Sequence, residues 1–335
     1  MNTDWKSFLI EQGASFKDEQ LVSFVNSESQ SVATLCDLSD QGIIKVSGGD
    51  AESFLQNQLT NDISHLSQTG YQESAWCSPK GRIIANFRIF KRDNSYYIIV
   101  SADLLEHVIK KLGMYVMMSK VTLEDATNSL IHFGYALNED ADKNAESEQL
   151  QNKSLSILKI AGTLPRFEIL AEINEEMDDA KQLWQHLAQD ASIVSNNHWL
   201  YLNIVAGLPT INEASSESWI PQMVNYIAVG GVDFKKGCYP GQEVVARLNY
   251  LGKTKRRMYR LGLDTNQLPA VGDIIYGESE TEAGKILNAA FNPDGKVEAL
   301  AILKIAEANK PLSISPSDQN IAISILDLPY SVNND

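Results

Sequence analysis

Apolar residues in the first third of the chain recur at spacings typical of alternating strands and helices. Residues 43–46 form an apolar run that ends at a Gly-Gly-Asp turn. This pattern predicts a strand followed by a helix capped by Asp50. Two further apolar runs, 83–90 and 96–100, are separated by a polar turn and predict a hairpin. From 104 to 116 the apolar residues return at helical spacing, which predicts a second helix.

The middle of the chain alternates less regularly. Residues 138–154 are acidic and polar with few apolar positions, which indicates a loop or a linker between subdomains. Residues 167–171 predict a strand, and the following segment predicts a helix with Leu183, Trp184 and Leu187 facing inward. Residues 199–206 are mostly apolar, and their period does not distinguish a helix from a strand.

The pattern changes after Arg257 to short alternating runs separated by Gly-Asp and Asp-Gly turns. These runs lie at 259–263, 274–276, 299–303 and 321–325. Short strands with regular turns predict a small antiparallel barrel. The pattern therefore predicts an α+β region over residues 1–254 and a C-terminal antiparallel β-barrel over residues 255–335.

Composition and cysteine content favour a protein of the cytoplasm. The chain has 335 residues, 44% of them hydrophobic, which is ample for a sizeable core. The N-terminal residues show no secretory leader pattern, and no apolar stretch is long enough to cross a bilayer. Cys36, Cys77 and Cys238 are widely spaced, which fits neither a disulfide framework nor a metal site.

Charge is unevenly distributed. The net charge of −15 disfavours general binding to nucleic acid or to an anionic membrane. Residues 233–260 nevertheless contain eight basic and two acidic residues, a local charge of +6. This basic segment indicates either an anionic partner or an ordinary solvated hairpin around residues 252–255.

The basic segment contains the sharpest candidate for chemistry. Residues 235–243 read Lys-Lys-Gly-Cys-Tyr-Pro-Gly-Gln-Glu, and Pro240 fits the first position of a helix. A cysteine just before a helix and beside two lysines is favoured as the thiolate. As a thiolate, Cys238 can act as a nucleophile, a redox partner or one ligand of an iron–sulfur cluster shared with another protein. The alternative is a tight loop whose thiol is only a small buried hydrophobe.

Residues 230–247 resemble the signature of the YgfZ family, folate-binding proteins related to the aminomethyltransferase (T-protein) of glycine cleavage. Supporting matches occur at residues 54–62, 78–82, 206–209 and 219–222. The resemblance implies a T-protein-like fold, in which interleaved α/β subdomains surround a central cavity that binds folate. It also implies a C-terminal barrel, in agreement with the pattern of short strands.

The resemblance assigns roles to particular residues. Trp199 stands where the family has a folate-linked tryptophan, and its alternative role is plain core packing. Gln41 stands where the resemblance implies a second folate-linked tryptophan. Cys238 is implied as the essential thiol; its supporting residues are Lys235, Lys236, Gln242, Glu243 and Arg247. Trp219 and Tyr226 either line the cavity or belong to the core.

The implied function is that of an accessory protein rather than a conventional enzyme. T-proteins carry a carboxylate shortly after a Gly-Gly turn, and residues 81–86 contain none. The family is implicated in assembly or repair of iron–sulfur enzymes, among them radical enzymes that methylthiolate tRNA. Two alternatives stay open. One is a folate-dependent one-carbon (aminomethyl) transferase or demethylase. The other is a tRNA-binding module that uses the basic residues 235–260, although the net negative charge disfavours direct nucleic-acid binding.

Overall fold

A computed structural model describes most of the chain. The described residues are 1–17, 20–24, 33–67, 70–117, 119–138, 150, 154–278, 280–314 and 321–332. Most of the linker predicted at 138–154 lies outside the described residues. None of the helices in these ranges is both long and apolar enough to cross a membrane.

Helices and strands alternate through the first two thirds of the chain, and strands dominate the remainder. The helices are α1 (Thr3–Glu11), α2 (Ala51–Gln58), α3 (Leu105–Gly113), α4 (Ile173–Leu187), α5 (Asn196–Val205) and α6 (Gln242–Leu251). The strands are β1 (Ala14–Lys17), β2 (Gln20–Phe24), β3 (Ala33–Asp37), β4 (Gln41–Ser47), β5 (Tyr71–Cys77), β6 (Ile83–Arg92), β7 (Ser95–Ser101), β8 (Thr122–Asp125), β9 (Leu130–Leu137), β10 (Ser156–Ile160), β11 (Arg166–Glu172), β12 (Ala191–Val194), β13 (Arg256–Leu263), β14 (Ile274–Gly277), β15 (Glu282–Phe291), β16 (Val297–Lys304), β17 (Leu312–Ser313) and β18 (Ile323–Leu326).

Two five-stranded sheets are interleaved along the chain. The first has the order β10-β11-β9-β3-β12, and the second has the order β5-β6-β7-β4-β8. The chain leaves the first sheet after β3, builds the whole second sheet, and returns with β9. Pairing is antiparallel except between β12 and β3. The α+β class predicted from the sequence is confirmed.

An aromatic core between α1, α4 and β9 anchors the first sheet. The rings of Trp5, Phe133 and Trp184 lie with centroids 5.3 to 5.9 Å apart. The indole N–H of Trp5 donates to Asp37 at 2.9 Å, so the buried polar atom is satisfied. The inward face predicted for α4 is confirmed, since Leu183, Trp184 and Leu187 are buried.

The C-terminal strands form a barrel-like antiparallel sheet in the order β17-β14-β15-β16-β13-β18. The four predicted runs lie on β13, β14, β16 and β18. The sequence pattern missed β15, although it has ten residues. A register shift between Ile286 and Asn288 breaks the alternation on which strand prediction depends.

Three local expectations needed correction or refinement. Asp50 does not cap α2 with its side chain, because its carboxylate accepts instead from the backbone N–H of Lys120 at 2.8 Å. The helix predicted over 104–116 ends at Gly113. The ambiguous segment 199–206 is helical and lies within α5 up to Val205.

Candidate functional site

A cavity of about 420 Å³ lies where the second five-stranded sheet, α5 and the barrel-like sheet meet. Twelve of the residues that line it have polar side chains. These are Asp40, Gln41, Glu73, Asn86, Arg88, Ser101, Asn196, Asn197, Asn203, Thr210, Asn212 and Asn288. Trp199 also lines this cavity, and so does Gln41. The two positions that the resemblance connects with folate are therefore brought together, although they are far apart in sequence.

Trp199 forms part of the cavity wall rather than an open stacking surface. Its side chain is only 2% exposed, and it packs with Cys36, Leu38 and Leu202. Its indole N–H donates to Glu168 at 3.2 Å. Gly134 allows this packing, because a Cβ atom there would lie 2.6 Å from the ring.

A buried ion pair joins Arg88 on the cavity wall to Glu168. Arg88 contacts the carboxylate of Glu168 at 2.9 Å and donates to the side-chain oxygen of Gln41 at 3.3 Å. Burial alone would raise the pKa of Glu168, but Arg88, His132 and Arg166 together hold it at about 2. Glu168 is therefore an anion at neutral pH, and it fixes both Trp199 and Arg88 in place.

The neighbouring cation Arg166 is also buried. Burial and the repulsion of Arg88 lower the pKa of Arg166 to about 10. Its guanidinium carbon lies 5.7 Å from the centre of the Trp199 ring, and it donates to Asn203 at 2.9 Å. The two arginines thus face two carboxyl groups, those of Glu168 and Glu73.

Glu73 places a carboxyl group on the cavity wall that sequence reasoning missed. It lies on β5 opposite Arg88 of β6 and is 8% exposed. The Tyr226 hydroxyl donates to one carboxyl oxygen at 3.0 Å. Burial raises the pKa of Glu73, with Arg88 and the Tyr226 bond opposing the effect. Its only sequence signal was an acidic residue directly before the run Ser-Ala-Trp-Cys at 74–77.

Asn86 stands in the segment expected to carry the transferase carboxylate, and both polar atoms of its amide bond to the backbone. The amide donates to the carbonyl of Pro209 and accepts from the N–H of Ile211, both at 2.8 Å. The Asn288 amide likewise donates to the carbonyl of Thr210 and accepts from its N–H. The Asn197 amide makes the same two bonds with the backbone of Phe291. These three amides join the barrel-like sheet and residues 209–211 to the rest of the cavity.

Cys238 lies outside this cavity, on an exposed loop before α6. The expectation that Pro240 begins the helix is wrong. α6 begins at Gln242, and Gly241 before it has φ +81°, a left-handed conformation that favours glycine. A Cβ atom at Gly241 would come within 2.4 Å of the Ser78 carbonyl, so this glycine also permits close packing.

Lys236 attaches the thiol loop to the core. Its ammonium donates to the carbonyl oxygens of Gln56, Leu59 and Asn61 at 2.6 to 2.8 Å. Burial lowers the pKa of Lys236 to about 8, so the group still carries its proton at neutral pH. Lys236 is therefore not available to a ligand in this structure.

The separate segments that carry the family resemblance meet around the thiol loop. Thr60 donates to the Gly231 carbonyl at 2.6 Å, and Asn61 to the Gly230 carbonyl at 2.8 Å. Gly81 packs against Gly241 and Val244. Gln222 donates to the Val245 carbonyl at 2.6 Å. Three of the four supporting segments, 54–62, 78–82 and 219–222, thus contact residues 230–247 and hold the loop that carries Cys238.

The other predicted supporting residues point away from the core or lie at its edge. Lys235, Glu243 and Arg247 are exposed, and Gln242 is half-buried. Trp219 and Tyr226 belong to the core, and neither is a cavity wall residue.

The basic segment does not act as one surface, because half of its cations have partners inside the protein. Lys236 bonds the three carbonyls, and Arg257 donates to the Val332 carbonyl. Arg256 pairs with Glu282 at 3.0 Å, and Arg260 with Glu298 at 2.7 Å. The exposed cations are Lys235, Arg247, Lys253 and Lys255.

Among the described residues, one group of side chains has the spacing of metal ligands. Asp62, His65 and Asp233 bring ligand atoms within 4.8 Å of one another. Asp62 already accepts from the N–H of Ser64 at 3.0 Å, and Asp233 from that of Lys235 at 2.6 Å. Both carboxylates thus have a structural role in their turns.

Comparison with known proteins agrees with this geometry. The family model for the GCVT N-terminal domain matches residues 7–135. The tRNA-modifying protein YgfZ of Yersinia pestis (strain Pestoides F) is 33% identical over 310 residues, covering 90% of this chain and 94% of that protein. Its counterpart from Enterobacter sp. (strain 638) is 32% identical over 311 residues, covering 89% and 94%. The chain belongs to the YgfZ family.

The fold of this YgfZ-family chain is that of a T-protein. The crystal structure of the glycine cleavage system aminomethyltransferase T from Bartonella henselae superimposes with a TM-score of 0.73 at 14% identity. The match covers 98% of this chain and 97% of that one. The T-protein-like fold with a C-terminal barrel-like sheet, expected from the sequence, is confirmed.

Proposed function

We propose that this protein binds a folate in the central cavity and acts as an accessory protein for iron–sulfur enzymes that modify tRNA. In this proposal Cys238 is the thiol that reacts with, or binds to, the partner. The observation that carries the proposal is the division of the molecule into a central cavity lined by polar side chains and a separate exposed thiol.

The cavity supports the folate part of the proposal. Its volume of about 420 Å³ falls within the range typical of small-molecule sites. Its wall combines one indole with cationic, acidic and amide side chains, which suit the polar edge of a pterin. The family relationship and the T-protein fold point to the same ligand.

The thiol loop supports the accessory part. Cys238 is exposed, whereas Cys36 and Cys77 are buried. Its loop is held by the Lys236 ammonium and by contacts from three other segments. A reactive group that is rigidly held and open to solvent suits a reaction with another macromolecule. The names of the curated relatives connect that partner with tRNA modification.

Complementation of a strain that lacks the gene tests the proposal. Nucleoside mass spectrometry would report methylthiolated tRNA. We expect Cys238→Ser to abolish restoration, because the thiol is lost without disturbing the core. We expect the same of Ala102→Trp, because Ala102 is an exposed residue on the cavity wall and a larger ring there occupies the space of the ligand.

Two matched controls separate these effects from general damage. Asn249→Ser changes an exposed residue on α6, and Ala306→Trp adds the same ring to an exposed turn of the barrel-like sheet. Both should restore tRNA methylthiolation fully. Full restoration by Cys238→Ser would contradict the role of the thiol, and full restoration by Ala102→Trp would contradict the role of the cavity.

One observation favours a second candidate, folate-dependent one-carbon transfer. Glu73 supplies a carboxyl group on the cavity wall, on the strand next to Asn86. Such a group can manage protons. Turnover of a methylamine donor by the purified protein with tetrahydrofolate, lost in Glu73→Gln, would support this candidate. Absence of turnover in the wild type would remove it.

A further inference from the structure

Two buried polar atoms on adjacent strands of the cavity wall have no hydrogen-bond partner among the described residues. One is the Oε1 atom of Glu73, and the other is the Nε atom of Arg88. Both residues line the cavity. Buried polar atoms are rarely left unpaired, because each one costs free energy of desolvation. The pair therefore indicates groups that a ligand completes.

The geometry of the strands makes these two atoms a matched pair. Glu73 and Arg88 are directly opposite each other in the β5–β6 ladder. Directly opposite side chains start about 5 Å apart at Cβ. Glu73 offers a hydrogen-bond acceptor there and Arg88 offers an N–H donor.

The remaining atoms of both side chains are held by the protein. Tyr226 donates to the second carboxyl oxygen of Glu73 at 3.0 Å. The Nη2 atom of Arg88 contacts Glu168 at 2.9 Å and Gln41 at 3.3 Å. Each side chain is thus held at one end and carries a buried atom without a partner at the other. Such orientation in advance lowers the entropy cost of binding.

We infer that Glu73 and Arg88 together recognise the lactam edge of a bicyclic heterocycle, in which an N–H lies beside a C=O. The N–H donates to Oε1 of Glu73, and the carbonyl oxygen accepts from Nε of Arg88. A pterin and a guanine carry this same edge, and both are planar rings of a size that suits the cavity. The inference deepens the proposed function, on which it rests for the choice of the pterin.

Neither residue was expected from the sequence, and Asn86, the position that drew attention, has no free amide atom for a ligand. The structure assigns recognition instead to Glu73 and Arg88, two pairs further along the same two strands. Burial raises the pKa of Glu73, and a ligand N–H would favour its ionised form.

The direct test compares pairs of ligands of similar shape in which one member carries the lactam edge and the other has the donor and the acceptor exchanged. Folic acid and aminopterin differ in that aminopterin replaces the carbonyl by an amino group and loses the adjacent N–H. Guanosine and adenosine form the corresponding purine pair. Calorimetry with the wild-type protein should show folic acid at least about tenfold tighter than aminopterin, since the reversed edge places donor against donor.

Variants test the two residues individually. Glu73→Gln should weaken folic acid about tenfold to a hundredfold, because a charge-assisted hydrogen bond is lost. Arg88→Lys keeps a cation near Glu168 but lacks the Nε donor, and we expect a similar loss. The matched control is Glu298→Gln in β16, a carboxyl with the same 8% exposure that pairs with Arg260 away from the cavity. It should bind folic acid like the wild type.

The outcomes separate this inference from the proposed function. Equal binding of folic acid and aminopterin to the wild type overturns the inference and leaves folate binding intact, even if the variants fail to fold. Preference for guanosine over adenosine without any folate binding supports the inference and contradicts the proposed function. Absence of binding by all four ligands overturns both.

Discussion

The cavity and the thiol loop are built by opposite means. The cavity is surrounded by buried charges, among them Arg88, Glu168 and Arg166, which hold one another and the wall in place. The thiol loop is exposed, and the Lys236 ammonium and side chains of neighbouring segments hold it by bonding to backbone carbonyls. A small ligand needs a wall oriented before it arrives, whereas a macromolecular partner needs a group that it can reach.

The cavity and the thiol loop can therefore be tested separately. A substitution of a buried charge such as Arg88 or Glu168 should change ligand affinity and stability together, because the same charges orient the wall and stabilise the fold. A substitution of Cys238 should change neither.

Thiol reactivity should separate Cys238 from the other two cysteines most strongly. With an aromatic disulfide reagent, we expect one thiol per native chain to react at once and three per chain in urea. Cys36 and Cys77 react only through openings that cost several kcal/mol, so their rates should be lower by about a thousandfold or more. Fast labelling of two or more thiols in the native protein would show that the loop is not uniquely accessible.

Removing the charge of Glu168 should cost the most stability. Glu168→Gln leaves Arg88 buried without its partner, and we expect a loss of about 3–5 kcal/mol in urea unfolding at pH 7. The surface pair provides the matched control, since Glu282→Gln beside Arg256 should cost less than about 1 kcal/mol.

The same variant makes a prediction about pH. The folded pKa of Glu168 is about 2, below the ordinary value of 4.5, so its stabilisation is present above pH 4.5 and lost as pH falls toward 2. The difference between wild type and Glu168→Gln should therefore shrink across that window. A difference independent of pH would show that folding does not lower the pKa of Glu168.

Loosening the thiol loop should have a smaller effect. Lys236→Met leaves the carbonyls of Gln56, Leu59 and Asn61 without their donor, and we expect a loss of about 2–4 kcal/mol. Hydrogen exchange should rise in residues 233–241 and not at the cavity. Lys235→Met, at the exposed neighbour, should stay within about 0.5 kcal/mol of the wild type.

The smallest effect is expected at Gln41, where the family has an aromatic residue. Gln41→Trp adds a ring to the cavity wall, and stacking on a pterin should improve folate affinity by about twofold to tenfold. Calorimetry against the wild type measures the gain. A loss of affinity would show that the hydrogen bond from Arg88 to Gln41 matters more than stacking.

The sequence predicted the fold where periodicity was regular. The hairpin of β6 and β7 and four strands of the barrel-like sheet were recognised, because apolar runs alternated with turn residues. The bulged β15 was missed for the reason that its alternation is broken. The start of α6 was misplaced, because Pro240 fits a helix start equally well when it stands just before a left-handed glycine.

The candidate site was predicted in part. Spacing along the family motifs identified Trp199, Gln41 and Cys238, and the structure brings the first two together in one cavity. Glu73, Arg88 and Glu168 were missed, because a single charge inside an apolar strand does not reveal its partners. Counting charges also overstated the basic segment, since Lys236, Arg256, Arg257 and Arg260 bond within the protein.

Tetrahydrofolate binding by calorimetry to the wild type, Cys238→Ser and Ala102→Trp tests the separation of the two sites most directly. The account predicts equal affinity for the wild type and Cys238→Ser, and loss of binding for Ala102→Trp with unchanged thermal unfolding. Loss of binding in Cys238→Ser, or unaltered binding in Ala102→Trp, would contradict it.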